Sequence, residues 1–150
     1  MTIRLSDEDL AMIYDHGRDA YPEECCGVMI GRVESGSGEV VISEVQSAEN
    51  EREDSSRHHR FLISPQALLE AQRSARERGL DVLGYYHSHP DHPARPSEFD
   101  REHAWPGTSY LIISVEEGSV VDATSWRLAD DRSRFDQEEL IGTDGEKIAV

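Results

Sequence analysis

The stretch VLGYYHSHPDHPARPSEFD, residues 82–100, decides how this sequence folds around its most reactive side chains. Its first part is apolar and predicts a strand from Val82 to His87, and its prolines then end regular structure and turn the chain. His87 and His89 are two residues apart at the strand end, so their side chains point to one face, about 7 Å apart along the strand. The stretch therefore predicts two imidazoles that can converge on one ion.

The end of the same stretch adds a hydroxyl and a carboxylate. Ser97 and Asp100 are three residues apart at the start of a predicted short helix, so they share a face, and the turn can return Asp100 to the histidines. Two imidazoles and one carboxylate would hold Zn²⁺, with nitrogen–zinc distances of about 2.0–2.1 Å and a fourth position left for water. Taken singly, the His-x-His pair is weak evidence, and Ser-x-x-Asp is more often a helix capping box. Their coincidence favours a metal site.

Outside this stretch, hydrophobic periodicity predicts a mixed α/β domain. A capping box at Ser6 begins a helix over 7–20, and Ser64-Pro65 begins a second helix that ends near Gly79. Together with the strand before His87, the whole pattern predicts a sheet of about six strands, two longer helices and a short one. These elements form one domain over 1–141, and we expect a flexible tail over 142–150. The remaining predicted strands are Cys25–Val33, Glu39–Val45, Arg60–Ile63, Tyr110–Val115, Val120–Leu128 and an edge strand, Phe135–Ile141.

Charge and composition exclude several classes of function. The chain has 15 Lys and Arg against 31 Asp and Glu, a net charge of -16, and Lys147 is the only lysine. An acidic surface of this kind repels nucleic acid and anionic membranes. The excess of acidic residues is typical of a well-solvated surface adapted to high salt, and binding of a basic partner is the alternative explanation. No apolar run or signal peptide indicates a membrane. The adjacent Cys25 and Cys26 indicate no disulfide, so we expect buried thiols and a cytoplasmic setting.

A second acidic site precedes the first strand. Glu23 and Glu24 stand just before Cys25-Cys26-Gly27, and either could serve as the base that a zinc hydrolase needs. Taken alone, the pair is more typical of a solvated acidic turn. The choice between these two interpretations depends on the motif as a whole.

The combined motif resembles the JAMM/MPN+ (JAB-domain) zinc metalloproteases, in their small prokaryotic single-domain form. The resemblance covers most of the chain, about residues 10–128, and implies a three-layer α/β/α, cytidine-deaminase-like fold around one Zn²⁺ per chain. The matching residues are Glu24-Cys25-Cys26-Gly27, His87-Ser88-His89-Pro90 and Ser97-x-x-Asp100, with flanking matches at Tyr21-Pro22, Arg60-Phe61, Gly84-Tyr85-Tyr86 and residues 110–114.

The resemblance also implies a role for each residue. His87, His89 and Asp100 would be the zinc ligands, Glu24 would be the general acid/base that passes a proton from the attacking water to the leaving amine, and Ser97 would hydrogen-bond the oxyanion. It implies a metallopeptidase or isopeptidase that cuts after the C-terminal Gly-Gly of a ubiquitin-like or sulfur-carrier protein.

Two alternatives remain at this point. The run His87-Ser88-His89-Pro90-Asp91-His92 also fits the H-x-H-x-D-H pattern of metallo-β-lactamase-like hydrolases, although His103 is the one histidine left downstream. The other alternative is a non-catalytic MPN-type interaction module that has lost its metal. The remaining histidines, His16, His58, His59, His92 and His103, are predicted at the surface, and Trp105 and Trp126 are predicted to pack.

Overall fold

The computed structural model describes residues 1–50 and 63–150, and within those ranges the elements follow the predicted order. The helix and strand bounds mostly agree with the sequence patterns to within three residues. The elements are β1 (Thr2–Arg4), α1 (Asp7–Ala20), β2 (Cys26–Val33), β3 (Val40–Ala48), α2 (Pro65–Glu77), β4 (Asp81–Pro90), α3 (Glu98–His103), β5 (Ser109–Glu116), β6 (Ser119–Leu128) and β7 (Phe135–Ile141).

Both long helices begin at the predicted serine caps. The Ser6 hydroxyl accepts a hydrogen bond from the Asp9 N–H at 3.1 Å, and the Ser64 hydroxyl accepts one from the Ala67 N–H at 3.1 Å. Each cap satisfies a backbone donor that has no partner inside its helix. The caps are local, so the sequence pattern alone places these helix starts.

The sheet differs from the prediction in strand number and in closure. Within residues 1–50 and 63–150, seven strands in the order β1-β3-β2-β4-β5-β6-β7 form a closed sheet, because β1 pairs in parallel with both β3 and β7. The expected count of about six is therefore corrected, and Phe135–Ile141 is not an edge strand. β1 has three residues, which is too short for the alternation that predicts a strand. The mixed α/β class is confirmed.

Helices cover both faces of this sheet. Leu10 and Ile13 of α1 pack in one buried cluster with Met29 of β2. Ala71 and Ala75 of α2 pack in a second cluster with Cys26, Val28 and Ile30 of the same strand. Because successive side chains of a strand point to opposite faces, the two helices lie on opposite sides of β2.

Strand pairing brings the two parts of the candidate site together. β4 lies between β2, its antiparallel neighbour, and β5, its parallel neighbour. Cys26 pairs with His87 in this register, so the chain just before β2 runs beside the histidine end of β4. A pair of residues more than 60 positions apart in sequence is thus adjacent in the fold.

The segment after β7 folds back on the domain. The Gly142 N–H donates to the Glu146 carbonyl at 2.9 Å, and the Ile148 N–H donates to the Leu140 carbonyl at 3.0 Å. Ile148 also packs against the core. That residues 142–150 form a flexible tail stays a prediction. The domain limit at 141 stays a prediction.

The predicted strand Arg60–Ile63 falls largely outside the described residues. None of the described helices is long and apolar enough to cross a bilayer.

Candidate metal centre

Three predicted ligands converge at the end of β4. His87 Nε2 lies 3.1 Å from His89 Nε2, and Asp100 Oδ2 lies 3.3 Å from the first nitrogen and 3.2 Å from the second. Both histidines are buried, and the Asp100 side chain is 9% exposed. Ligands about 2.0–2.1 Å from a tetrahedral zinc are separated by about 3.3–3.4 Å, which is the edge of that tetrahedron. The three donor atoms therefore have the spacing and the chemistry that fit Zn²⁺.

A backbone carbonyl orients one of the imidazoles. His89 Nδ1 lies 2.9 Å from the Pro93 carbonyl oxygen. A carbonyl can only accept, so Nδ1 carries a proton, and Nε2 is the ring nitrogen left to bind a metal. This is the support that metal-binding histidines usually have. Pro93, which the sequence analysis treated as a turn residue, thus also selects the histidine tautomer.

Asp100 is at once a helix cap and a member of the cluster. The Asp100 N–H donates to the Ser97 hydroxyl at 3.0 Å, and the Ser97 N–H donates to Asp100 Oδ2 at 2.8 Å, which completes a capping box at the start of α3. The two explanations offered for Ser-x-x-Asp are therefore not exclusive. Because the Ser97 oxygen acts as the acceptor, the hydroxyl proton can still be donated to another group.

The cluster keeps Asp100 anionic. Burial alone would raise the pKa of this carboxyl, but His87, His89 and the Ser97 N–H together hold it well below its usual range. A deprotonated carboxylate next to two imidazole nitrogens is the state that binds a divalent cation.

Glu24 stands at the edge of the cluster. Its carboxyl oxygen and the ring nitrogens of His87 and His89 all lie within 4.8 Å of one another. Glu24 is 3% exposed, and burial, followed by the nearby charge of Asp100, raises its pKa to about 9. Glu24 could complete a ligand set with the two histidines, and so could Asp100, whose Oδ2 lies 3.3 Å and 3.2 Å from their Nε2 atoms. Glu23 is not a member of this group.

Ser88 was missed by the sequence analysis, although it lies between the two histidines. Its hydroxyl accepts a hydrogen bond from the Cys25 N–H at 2.8 Å, and its own N–H donates to the Cys25 carbonyl at 3.2 Å. Ser88 points to the face opposite the histidines because strand side chains alternate. It thereby ties the residue after Glu24 to the strand that carries His87 and His89.

The tyrosine before the histidines takes part in a second contact that was not predicted. His16, expected at the surface, is half-buried, and its Nδ1 lies 2.8 Å from the Tyr86 hydroxyl. A Cβ at position 27 would lie 2.2 Å from the Tyr86 ring, so Gly27 is required for this close packing. The glycine of the motif therefore serves packing next to the site.

The arrangement required by the metallo-β-lactamase-like alternative is not formed. The Asp91 carboxylate accepts hydrogen bonds from the Tyr21 hydroxyl at 2.6 Å and from the Glu117 N–H at 2.9 Å, away from the histidine pair. His92 is exposed. His58 and His59 lie outside the described residues, and His103 is exposed as expected.

An apolar groove opens beside the ligands. Trp105, predicted to pack in the interior, is 68% exposed and forms part of its wall. The groove gives an extended chain a route to the cluster. It is lined by Ile63, Leu68, Tyr85, His87, Phe99, Asp100, His103, Ala104, Trp105 and Tyr110.

Both cysteines are buried, as predicted. Cys25 is 2% exposed and Cys26 is 0% exposed, and burial raises the pKa of the Cys25 thiol to about 12. At pH 8 such a thiol has on the order of a thousandfold less thiolate than a free cysteine of pKa about 8.5. We expect no reaction of the native protein with Ellman's reagent over minutes, and two thiols per chain after unfolding in urea. Rapid native reaction would contradict the burial.

A family model described as prokaryotic homologs of the JAB domain matches residues 7–129. The chain belongs to this family. The match covers α1 through β6 and so includes every residue of the cluster. The predicted family resemblance is confirmed.

Two solved structures of similar proteins share the fold of this JAB-domain chain over nearly its whole length. A solution structure from Salinibacter ruber is 41% identical with a TM-score of 0.72, and one from Desulfitobacterium hafniense is 32% identical with a TM-score of 0.80. Each comparison covers 99% of this chain and 95% of the other.

Two curated relatives match over shorter stretches. A protein named "Desampylase" from Haloferax volcanii is 51% identical over 51 residues, which are 33% of this chain and 34% of that protein. A protein named "Probable TtuB-protein conjugate cleaving protease" from Thermus thermophilus is 39% identical over 56 residues, 37% of this chain and 38% of that protein. The matched part thus spans little more than a third of either relative's length.

Proposed function

We propose that this JAB-domain chain is a zinc-dependent metallopeptidase or isopeptidase that hydrolyses an amide bond after the C-terminal Gly-Gly of a ubiquitin-like or sulfur-carrier protein. The observation that carries the proposal is the buried convergence of His87, His89 and Asp100, with donor atoms 3.1–3.3 Å apart, beside the Glu24 carboxyl. A zinc ion bound there would lower the pKa of a water to about 7 and polarise the substrate carbonyl.

Two residues of the chain would carry the remaining steps, which are proton transfer and stabilisation of the oxyanion. A Zn²⁺ bound next to the buried Glu24 would offset the effect of burial on its pKa and favour the carboxylate form. That carboxylate takes the proton of the attacking water and gives it to the leaving amine. Ser97 donates its hydroxyl proton to the developing oxyanion, while its oxygen keeps the cap of α3. Because the capping box joins Ser97 to Asp100, the oxyanion donor stands in a set position next to the third ligand.

The substrate class is supported by the curated relatives, whose names describe cleavage of protein conjugates. A Gly-Gly tail suits a narrow approach to the cluster because it has no side chains to clash, and an extended peptide can lie as an added strand. The groove between α2 and α3 offers apolar surface for the residues that precede such a tail.

The test uses zinc-loaded protein and a substrate that we call the Gly-Gly fusion. This substrate is a ubiquitin-like domain that ends in Gly-Gly followed by a short C-terminal extension. We expect mass spectrometry to show trimming to the Gly-Gly end, and its loss on addition of a chelator. The matched control substrate has Ala-Ala in place of Gly-Gly and should remain uncut. A chain that binds zinc but cuts nothing would contradict hydrolysis. A carefully purified chain without zinc would instead support the non-catalytic module.

A further inference from the structure

Asp91 joins three parts of the fold next to the metal centre. Its carboxylate accepts hydrogen bonds from the Tyr21 hydroxyl at 2.6 Å and the Glu117 N–H at 2.9 Å, and its own N–H donates to the Val115 carbonyl at 2.7 Å. Its φ is 56°, in the left-handed region that aspartate and asparagine tolerate better than most residues. The end of α1 and the β5–β6 turn are therefore both connected to the residue two positions after His89.

The segment that carries Glu24 is tied to the histidine strand on both sides. Tyr21 precedes Glu24 by three residues and is bonded to Asp91, and Cys25 follows it and exchanges two hydrogen bonds with Ser88. These four residues mark the ends of two neighbouring segments of the chain, residues 21–25 and residues 88–91. The distance between Glu24 and the ring nitrogens is thus set by two cross-connections rather than by contacts of the Glu24 carboxyl alone.

We propose that Tyr21 and Asp91 are positioning residues, which set the place of the Glu24 carboxyl relative to His87 and His89. This inference rests on the proposed function. Neither residue contacts the cluster, so neither is a catalytic residue. A displacement of about 1 Å of a catalytic group can lower a rate by about 100-fold, so a single outlying hydrogen bond can matter.

A role of the Tyr21–Asp91 hydrogen bond in stability and a role in positioning Glu24 predict different effects of its loss. Tyr21 is partly exposed and Asp91 is exposed, so their hydrogen bond competes with water and contributes little to the free energy of unfolding. Its loss should therefore leave the fold and the metal in place. The rate of proton transfer through Glu24 should fall.

The experiment compares Tyr21→Phe, at the residue that follows α1, with a matched variant inside that helix, Tyr14→Phe. The buried Tyr14 hydroxyl has no hydrogen-bond partner among the described residues. With the Gly-Gly fusion as substrate, we expect Tyr21→Phe to lower kcat by about tenfold with KM within about twofold, one zinc per chain retained and the melting temperature nearly unchanged. Tyr14→Phe should match wild type.

A conservative change at the partner provides the rescue. In Asp91→Asn the amide oxygen can accept from the Glu117 N–H while the amide nitrogen donates to the Tyr21 hydroxyl, so kcat should stay near that of wild type. Asp91→Ala should lower kcat as Tyr21→Phe does. A kcat unchanged in Tyr21→Phe would overturn the proposal, as would parallel losses of kcat, zinc and melting temperature.

Hydrogen exchange separates this proposal from the proposed function. We expect the amides of residues 23–25 to exchange about tenfold faster in Tyr21→Phe than in wild type or Tyr14→Phe, in the zinc-loaded full chain. If wild type cuts no Gly-Gly fusion, the proposed function fails, but faster exchange in this segment would still support the connection. Unchanged exchange would overturn it.

Discussion

Glu24→Gln is expected to lower kcat by about 10²–10⁴-fold while zinc stays bound. Glutamine has the shape of glutamate but cannot take a proton from water at neutral pH. Glu24 lies within 4.8 Å of both ring nitrogens, but those nitrogens and Asp100 already provide three donor atoms 3.1–3.3 Å apart, so its loss should leave the ligand set intact. The measurement is cleavage of the Gly-Gly fusion together with the zinc content of the purified variant.

Glu23→Gln is the matched control, since it makes the same change one residue earlier and outside the cluster. We expect its kcat to stay within about twofold of wild type. Full cleavage by Glu24→Gln would contradict the proposed proton transfer. Loss of zinc from this variant would instead make Glu24 a ligand and would require a different base.

Asp100→Ala is expected to release the metal. Supporting residues outside the ligand set typically contribute 10–100-fold to metal affinity, so removal of a direct ligand should weaken zinc binding by more than about 100-fold. The charge matters as much as the contact, because the Asp100 carboxylate lies 3.2–3.3 Å from the two imidazole nitrogens and its pKa is held low there. Competition with a chromophoric chelator measures the affinity, and cleavage should be lost with the metal.

Two further variants separate this effect from damage to the fold. Asp100→Asn keeps an acceptor for the capping box of α3 but removes the charge, so it should fold normally and still bind zinc weakly. Asp91→Ala removes a nearby aspartate whose carboxylate is bonded to Tyr21 and Glu117, and it should keep one zinc per chain. Zinc loss in Asp91→Ala with retention in Asp100→Ala would return the metallo-β-lactamase-like ligand set to consideration.

The sequence by itself determined the parts of this protein that depend on neighbours along the chain. The serine caps placed the starts of α1 and α2, and alternation along β4 placed His87 and His89 on one face. The spacing of Ser97 and Asp100 predicted the capping box that begins α3. These features involve residues two to four apart, so their geometry follows from the local backbone.

Only the tertiary structure decided which distant groups meet. It brought Glu24, the glutamate that the family motif implied, next to the histidines, because β2 pairs with β4 in the register that sets Cys26 opposite His87. It also closed the sheet through the three-residue β1 and exposed Trp105 in the wall of the groove. Such contacts depend on strand register and packing between segments, which no local pattern encodes.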